Sequence, residues 1–446
     1  MIPPKRNLTN DLLLPCLLFA VLGGMTWAVR GSSGYGGWIG CTFAGVTWGT
    51  AWWFISRDGN GNRSRPYSSG WVILALTVGI GIAGDRGWMQ WPHFFSNRIY
   101  TNYAQGAFEP ISRCYGFLWL FIAGVPWAGL GACLLAWCNG SKKLSLRDWI
   151  FRIGCGLGAG FFARWLFEYS PELFLPLHET LAAKYANLPA NPTLGRLVND
   201  CREAVTHLGL YLGFLGFELS RRHCRNAILI LVVGLLNGLG WAMCQNWKWA
   251  AGVWPRASFN WWRCWESCGG ISIGIALGIA YYLVNKQRDA DDLPEVARNT
   301  CDLCWEKFGA YAGLIIGLGI SIRSGLKGWI NIHVGNEDYW SKVLWIIFGS
   351  LMVVGLAVVA VVLKRRPRPE LDGDDLFPNA YSIMWMVLIV QNILGQLVTS
   401  PYTEWNEMAF KIYYLLLFFI SAAIIHYYHV VNSKSLINAS TGKQQC

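Results

Sequence analysis

Long apolar stretches alternate with short polar connections along almost the whole chain. Several of the stretches hold only about 15 residues, fewer than the roughly 20 that a helix needs to cross a bilayer, but aromatic flanks extend them. The pattern predicts an all-α polytopic membrane protein with about 12 transmembrane helices. The stretches lie at 11–29, 38–56, 70–84, 114–138, 149–166, 207–220, 227–245, 268–285, 308–322, 342–363, 382–398 and 411–430.

The composition supports a membrane protein over a soluble one. Hydrophobic residues make up 54% of the chain and charged residues 14%, which is typical of helical membrane proteins. The first stretch follows Lys5 and Arg6 and continues to Arg30 without a small-residue cleavage site. It is therefore predicted to be an uncleaved first span rather than a signal peptide.

Basic residues predict the orientation. They are enriched at both termini and in the connections that follow even-numbered stretches, for example Arg221–Arg225 and Lys364–Arg368. Because cytoplasmic loops carry the excess of Lys and Arg, both termini are predicted to be cytoplasmic, in a bacterial inner membrane or a plasma membrane. We call these connections inner, and those after odd-numbered stretches outer. Four N-glycosylation sequons, which favour the opposite orientation in a eukaryote, share the inner side: Asn7, Asn62, Asn139 and Asn438.

Similar endings of three odd-numbered stretches favour helical hairpins that are internally repeated. Gly24–Arg30, Gly158–Arg164 and Gly317–Arg323 share the spacing of two small residues and an arginine. A repeat with an even number of spans keeps its orientation in the membrane. Chance recurrence of abundant Gly and Arg is the alternative. The chain is predicted to be a single transmembrane domain, which a repeat would divide into halves 11–220 and 227–430.

Charged residues near the outer ends of the helices are candidates for a solute site. Snorkelling to the headgroups explains an arginine there most simply, whereas several converging on one cavity would bind an anion. A nearby carboxylate either neutralises an arginine or couples transport to an ion. The arginines are Arg30, Arg86, Arg164 and Arg323, and the candidate ion-coupling acids are Asp85, Glu168 and Glu266.

Tryptophans are concentrated in the outer connections. Anchoring at the headgroup level explains many of them, but indole faces also stack on sugar rings and hold cations. In the fourth hairpin Asn246 takes the place of the arginine. The sequence therefore adds four candidate solute-binding residues: Trp88, Trp249, Trp262 and Asn246.

No motif for catalysis, metal binding or nucleic-acid binding is present in the sequence. The pair Cys301 and Cys304 lacks further ligands, so neither a metal nor a cofactor is expected. Cys264 and Cys268 are the candidates for an outer disulfide. Phosphate-binding and hydrolase signatures are absent, so no catalytic residue is assigned. The net charge of +11 lies mostly in short loops, where topology explains it without nucleic acid.

These features predict an integral membrane transporter of a small polar solute, anionic or sugar-like, with a Trp- and Arg-rich outer vestibule. Its expected partners are membrane lipids and the solute, and an oligomer or partner subunits stay open. The first alternative is a membrane-embedded enzyme that acts on a lipid-linked or sugar substrate at the outer face, with Asp85, Glu109 or Glu266 as its acid. The second is a non-catalytic membrane scaffold subunit.

Overall fold

The computed structural model describes residues 7–30, 37–56, 65–84, 90–139, 144–244, 260–286, 300–365, 380–397 and 405–442. Over these residues the chain is helical apart from its connections and one two-stranded sheet. The fourteen α-helices within them are α1 Leu14–Arg30, α2 Trp38–Ile55, α3 Trp71–Ile82, α4 Trp91–Phe94, α5 Cys114–Trp137, α6 Leu146–Tyr169, α7 His178–Tyr185, α8 Pro192–Ser220, α9 Cys224–Cys244, α10 Trp261–Val284, α11 Thr300–His333, α12 Glu337–Arg365, α13 Ala380–Leu397 and α14 Trp405–Gly442.

Nine helices in the described part of the chain are long and apolar enough to cross a membrane. They are α1 with the π-helical turn Thr9–Leu13 before it, α5, α6, and each helix from α9 to α14. Helix α3 is apolar but has only 12 residues, and α8 begins with a polar segment before its apolar end. Nine described helices of this length and apolarity are consistent with an integral membrane protein of several spans. Each of the twelve predicted stretches overlaps a different helix.

The outer connection 85–113 contains regular structure that the sequence did not predict. Helix α4 leads into a β-hairpin of strands β1 Arg98–Asn102 and β2 Ala107–Pro110, with Tyr100 opposite Phe108. The backbone N–H of Tyr103 donates to Thr193 of α8 at 3.3 Å. Burial raises the pKa of the Tyr103 phenol above its ordinary value, so this ring stays neutral where the hairpin meets α8.

The two helices on either side of each outer connection pack against each other. The contacting pairs are α1 with α2, α3 with α5, α6 with α8, α9 with α10, α11 with α12, and α13 with α14. Further contacts join the hairpins to one another: α1 packs on α10, α5 on both α9 and α8, α2 on α3, and α11 on both α2 and α3. Helix α12 lies at the periphery, since none of its most apolar window is buried, as expected for a helix that faces lipid.

Glycines bring α1 and α10 into backbone contact. A Cβ atom on Gly270 would lie 2.1 Å from the carbonyl oxygen of Gly23, and one on Gly274 would lie 2.2 Å from that of Phe19. Small residues at such a crossing let transmembrane backbones approach closely. Gly154 and Gly158 on α6 differ, because their Cβ positions meet no atom of the described residues within 4 Å. The α1–α10 crossing positions the candidate site.

Candidate functional site

Arg30, the last residue of α1, forms a buried ion pair with Glu266 of α10. Its Nη1 donates to both carboxylate oxygens at 2.9 Å, and the two side chains are 4% and 3% exposed. The pair forms because α1 and α10 cross antiparallel, which puts the end of α1 beside the first turns of α10. An isolated charge within a membrane costs about 2.5–3.5 kcal/mol on insertion scales, and buried ionisable groups there are functional candidates by default.

A second buried ion pair connects α10 to α14. Arg263 Nη1 donates to Glu407 Oε2 at 2.8 Å, and the Asn260 side chain caps α10 by accepting from the Arg263 N–H at 3.1 Å. Lys411 follows Glu407 by one turn of α14 and is 4% exposed. Two carboxylates and three basic side chains are thus buried at the outer ends of three helices.

We call these five residues the outer charge cluster: Arg30, Arg263, Glu266, Glu407 and Lys411. Counted over the residues that the structure describes there, the cluster carries one positive charge more than it carries negative charges. Two hydroxyl groups connect its helices, since Ser267 Oγ donates to the Gly24 carbonyl at 2.9 Å and lies 2.8 Å from the Tyr413 hydroxyl. Guanidinium groups such as those of Arg30 and Arg263 match the oxygens of an anionic ligand.

Six indole rings form a continuous wall beside the outer charge cluster. Successive ring centroids are 4.6 to 5.6 Å apart. The Arg30 guanidinium carbon lies 4.9 Å from the centre of the Trp127 ring and 5.9 Å from that of Trp27, within the range of cation–π attraction. In order of contact, this tryptophan wall is Trp48, Trp27, Trp127, Trp241, Trp265 and Trp262.

Several buried N–H donors of the wall and the cluster find no acceptor among the described residues, and two of them lie side by side on α1. These two are the Nε of Arg30 and the Nε1 of Trp27. The Trp27 residue is fully buried and Arg30 is 6% exposed. A buried donor that is left without an acceptor costs about 1–3 kcal/mol. The two donors therefore mark a place where an additional acceptor oxygen would be stabilised.

The structure brings together only part of the predicted site. Arg30, Glu266 and Trp262 meet at the outer charge cluster and the tryptophan wall. Arg323 is buried elsewhere, where its guanidinium donates to the Ser341 backbone and hydroxyl at 3.0 and 2.6 Å and lies 4.4 Å from the Trp345 ring centre. The remaining outer candidates lie outside the described residues: Asp85, Arg86, Trp88, Asn246 and Trp249.

Arg164 and Glu168 lie on the surface of the bundle. They pair with each other at 3.1 Å on α6, with side chains 42% and 52% exposed, and Arg164 also reaches Glu203 of α8 at 3.6 Å. An exposed helical pair of this kind contributes only about 0.3–0.5 kcal/mol. These two residues therefore serve as matched controls for the buried pair of Arg30 and Glu266.

A second polar network is buried at the inner end of the bundle. Arg152 of α6 pairs with Glu218 of α8 at 2.7 Å, with side chains 3% and 1% exposed. The other Glu218 oxygen lies 2.8 Å from His223 Nδ1 and accepts from Asn226 Nδ2 at 2.8 Å. Tyr67 donates to Asn226 Oδ1 at 2.6 Å. The network joins α6, α8 and α9 to the segment before α3.

Removing the Tyr67 hydroxyl should weaken this inner network modestly. Tyr67→Phe deletes the hydrogen bond that Tyr67 donates to Asn226 and the longer one that its hydroxyl accepts from Asn139 Nδ2 at 3.4 Å. It leaves no orphaned acceptor, because Asn139 Nδ2 also donates to Asn226 Oδ1 at 2.9 Å. The expected loss of stability is about 1 kcal/mol, read as a lower melting temperature of the purified protein. Tyr169→Phe, at a position 73% exposed, should leave the melting temperature unchanged, and equal melting of both variants would contradict the network.

Sequence reasoning missed Glu407, Lys411 and most of the tryptophan wall. Glu407 precedes the predicted stretch 411–430 and Lys411 is its first residue, so both are typical of the solvated end of a span. Five of the six wall tryptophans were not chosen, since a tryptophan near the end of a span is usually an interface anchor. The spacing of Glu407 and Lys411, one helical turn apart, is the sequence feature that could have indicated a charged site at this end of the span.

No group of three or more His, Cys, Asp or Glu side chains that could hold a metal ion occurs within the described ranges. No protein-family model, curated protein or solved structure matches the chain. Its function therefore has to come from the chemistry of the site.

Proposed function

We propose that this chain is a membrane transporter that binds a small anionic solute at the outer charge cluster. The carrying observation is the pair of buried donors, Arg30 Nε and Trp27 Nε1, beside a cluster that holds three buried basic side chains. Guanidinium groups match carboxylate and phosphate oxygens in geometry and charge. An anion that accepts from both donors would remove their desolvation cost and neutralise the cluster.

The tryptophan wall favours a solute with an apolar face. Indole rings stack on flat or ring-shaped apolar surfaces, and Trp127 and Trp241 already lie parallel, 8° apart, with centroids at 5.0 Å. Sugar acids combine a carboxylate with such a ring, so they are the preferred solute class. Simple carboxylates and inorganic phosphate are the second class.

Binding requires that the solute compete with Glu266 for Arg30. With a monoanion bound and both carboxylates charged, the five-residue cluster and its solute sum to zero. With a dianion, neutrality is reached when Glu266 takes up one proton and releases Arg30. Because a neutral assembly crosses a low-dielectric region most cheaply, monoanions are expected to move without a proton and dianions with one proton. Glu266 thus keeps the ion-coupling role that the sequence predicts.

The same proposal includes the number of membrane crossings and the orientation of the chain. We infer twelve crossings, with α2, α3 and α8 added to the nine apolar helices, and both termini in the cytoplasm of a bacterial inner membrane or plasma membrane. The contact of each outer-connected helix pair supports six hairpins and is compatible with their repetition. The α1–α10 and α5–α9 contacts cross the division between 11–220 and 227–430, which supports a single transmembrane domain that lipids surround.

The other two functions are not supported by a specific observation. The described acids of the enzyme alternative are ion-paired, Glu266 with Arg30 and Glu109 with Lys184 at 3.7 Å. A scaffold subunit would not need buried guanidinium groups beside a tryptophan wall. The transporter is therefore the function that the site supports best.

Purified protein in proteoliposomes tests the proposal. The bilayers are adsorbed on a solid-supported electrode, and charge movement is recorded on concentration jumps of gluconate, glucuronate, lactate, succinate, inorganic phosphate and, as a neutral control, glucose. At least one anion should give a saturable current in the wild type. Arg30→Gln should lose at least nine-tenths of it, because the guanidinium that holds the anion is gone, whereas Arg164→Gln should retain it.

The recorded currents test the anion site at Arg30 and anion transport separately. A current for anions that depends on Arg30 supports the assignment. Currents of equal size in Arg30→Gln and the wild type would contradict the site, and currents absent for every anion from folded, reconstituted protein would contradict anion transport. A pH electrode in the same preparation reports the proton that dianions are expected to carry.

A further inference from the structure

Cysteines from two helices face each other at the outer end of the bundle. Helices α9 and α10 pack antiparallel, and a Cβ atom on Gly240 of α9 would lie 2.4 Å from the Ser272 side chain of α10. Counting one turn outward from this contact in both helices leads from Gly240 to Cys244 and from Ser272 to Cys268. The two thiols of that next layer are close enough to interact electrostatically.

Neighbouring contacts show that the outer ends of α9 and α10 pack together. The Trp241 and Trp265 rings of these two helices are 5.2 Å apart in an edge-to-face arrangement. The edge of the Trp241 ring also fills the space beside Gly269, where a Cβ atom would lie 2.4 Å from it. Because Gly240 has no side chain, the backbones approach closely, and a disulfide needs such an approach, with Cα atoms about 4.4–6.8 Å apart.

We propose that Cys244 and Cys268 are a redox-active pair that closes to a disulfide across α9 and α10. Both cysteines are reduced in the structure. The pairing differs from the candidate that the sequence offered, Cys264 with Cys268, whose members lie one turn apart on the same helix. Cys264 is the third thiol of this region and becomes the internal control.

The bond forms by thiol–disulfide exchange with a disulfide of the surrounding compartment, either a small molecule such as oxidised glutathione or an oxidoreductase. One thiol loses its proton and attacks the external disulfide, which gives a mixed disulfide and releases one thiol. The second cysteine then displaces the other half of the oxidant. In sum, Cys244 and Cys268 lose two protons and two electrons, and the external disulfide is reduced to two thiols.

The disulfide would tether the outer ends of two helices beside the outer charge cluster. Cys268 lies only two residues after Glu266, so the bond would form close to the ion pair of Arg30 and Glu266. Extracytoplasmic compartments are oxidising and the cytoplasm is reducing. With the orientation proposed above, the pair would be oxidised in the cell, whereas the chemistry of the pair itself does not depend on that orientation.

Tryptic mapping without reduction tests the pair. Purified full-length protein in detergent is equilibrated with oxidised glutathione, its remaining thiols are alkylated, and it is digested with trypsin. Cleavage at Arg225, Lys248, Arg263 and Lys286 places Cys244 on one peptide and both Cys264 and Cys268 on another. A covalent link between these two peptides is expected in the wild type and in Cys264→Ser, and reducing agent should separate them.

Single cysteine variants show which two cysteines form the bond. Cys244→Ser and Cys268→Ser should both lose the linked peptides. A link that persists in Cys268→Ser, a bond confined to the 264–286 peptide, or complete alkylation of Cys244 and Cys268 after oxidation would overturn the proposal. A second sample, alkylated in intact cells before lysis, reports the compartment. A link in purified protein that is missing in cells would overturn the extracytoplasmic placement while leaving the pair intact.

Discussion

Gly270→Ala should prevent assembly of the bundle. The new methyl group would lie 2.1 Å from the carbonyl oxygen of Gly23, and a backbone atom cannot rotate out of the way as a side chain can. The two helices must therefore separate along the whole crossing. Overpacking usually costs about 1–3 kcal/mol of stability when side chains can adjust. Because a backbone atom is in the way here, the loss of stability is expected to be about 3 kcal/mol or more. Size-exclusion chromatography of the detergent-solubilised protein should show loss of the monodisperse peak.

The same substitution at Gly158 provides the control. Its Cβ position meets nothing within 4 Å among the described residues, and alanine favours a helix over glycine by about 0.8–1.0 kcal/mol. Gly158→Ala should therefore leave the peak and the melting temperature unchanged or slightly raised. If Gly270→Ala and Gly158→Ala behaved alike, the α1–α10 crossing would be wrong.

Arg30→Met should destabilise the protein by about 3–5 kcal/mol. The substitution keeps the volume of the side chain but leaves the Glu266 carboxylate buried without its guanidinium, which is the costly way to break a buried ion pair. Differential scanning fluorimetry or a fluorescence-detected thermal melt of the purified protein measures the loss. Arg164→Met breaks the half-exposed pair on α6 and should cost no more than about 0.5 kcal/mol.

The double variant Arg30→Met/Glu266→Leu separates stability from function. Replacing both partners of a buried pair by apolar residues is often neutral or stabilising, so the melting temperature should recover most of the loss. Anion-induced currents should stay absent, since the anion site has lost its guanidinium. A double variant that melted as early as Arg30→Met would contradict the pairing, and one that transported normally would contradict the proposed role of the pair.

Hydrophobicity makes the helices of this protein predictable, because hydrocarbon requires every backbone polar group to be satisfied within the segment. Each predicted stretch falls on a helix for this reason. The β-hairpin at 98–110 was missed, since its alternating strands are only four or five residues long and lie within an aromatic connection. The length of α11, Thr300–His333, exceeds the predicted 308–322 because its polar ends are helical too.

The site was only partly predictable, because pairing between distant helices leaves no local pattern. Arg30 and Glu266 were each chosen as a charge near a span end, but nothing in either segment indicates that the two would meet. Arg164 shares the local motif of Arg30 and yet lies half exposed on α6. What separates them is packing: α1 runs through the centre of the bundle, whereas α6 faces outward along most of its length.

The most direct test of the proposed anion site is an electron cryo-microscopy map of the full chain in a lipid nanodisc, recorded with the anion that gives the largest current. The proposal predicts ordered non-protein density within hydrogen-bonding distance of Arg30 Nε and Trp27 Nε1, against the tryptophan wall. A map in which these two donors are satisfied by the chain's own carbonyl groups, with no density between α1, α10 and α14, would contradict it.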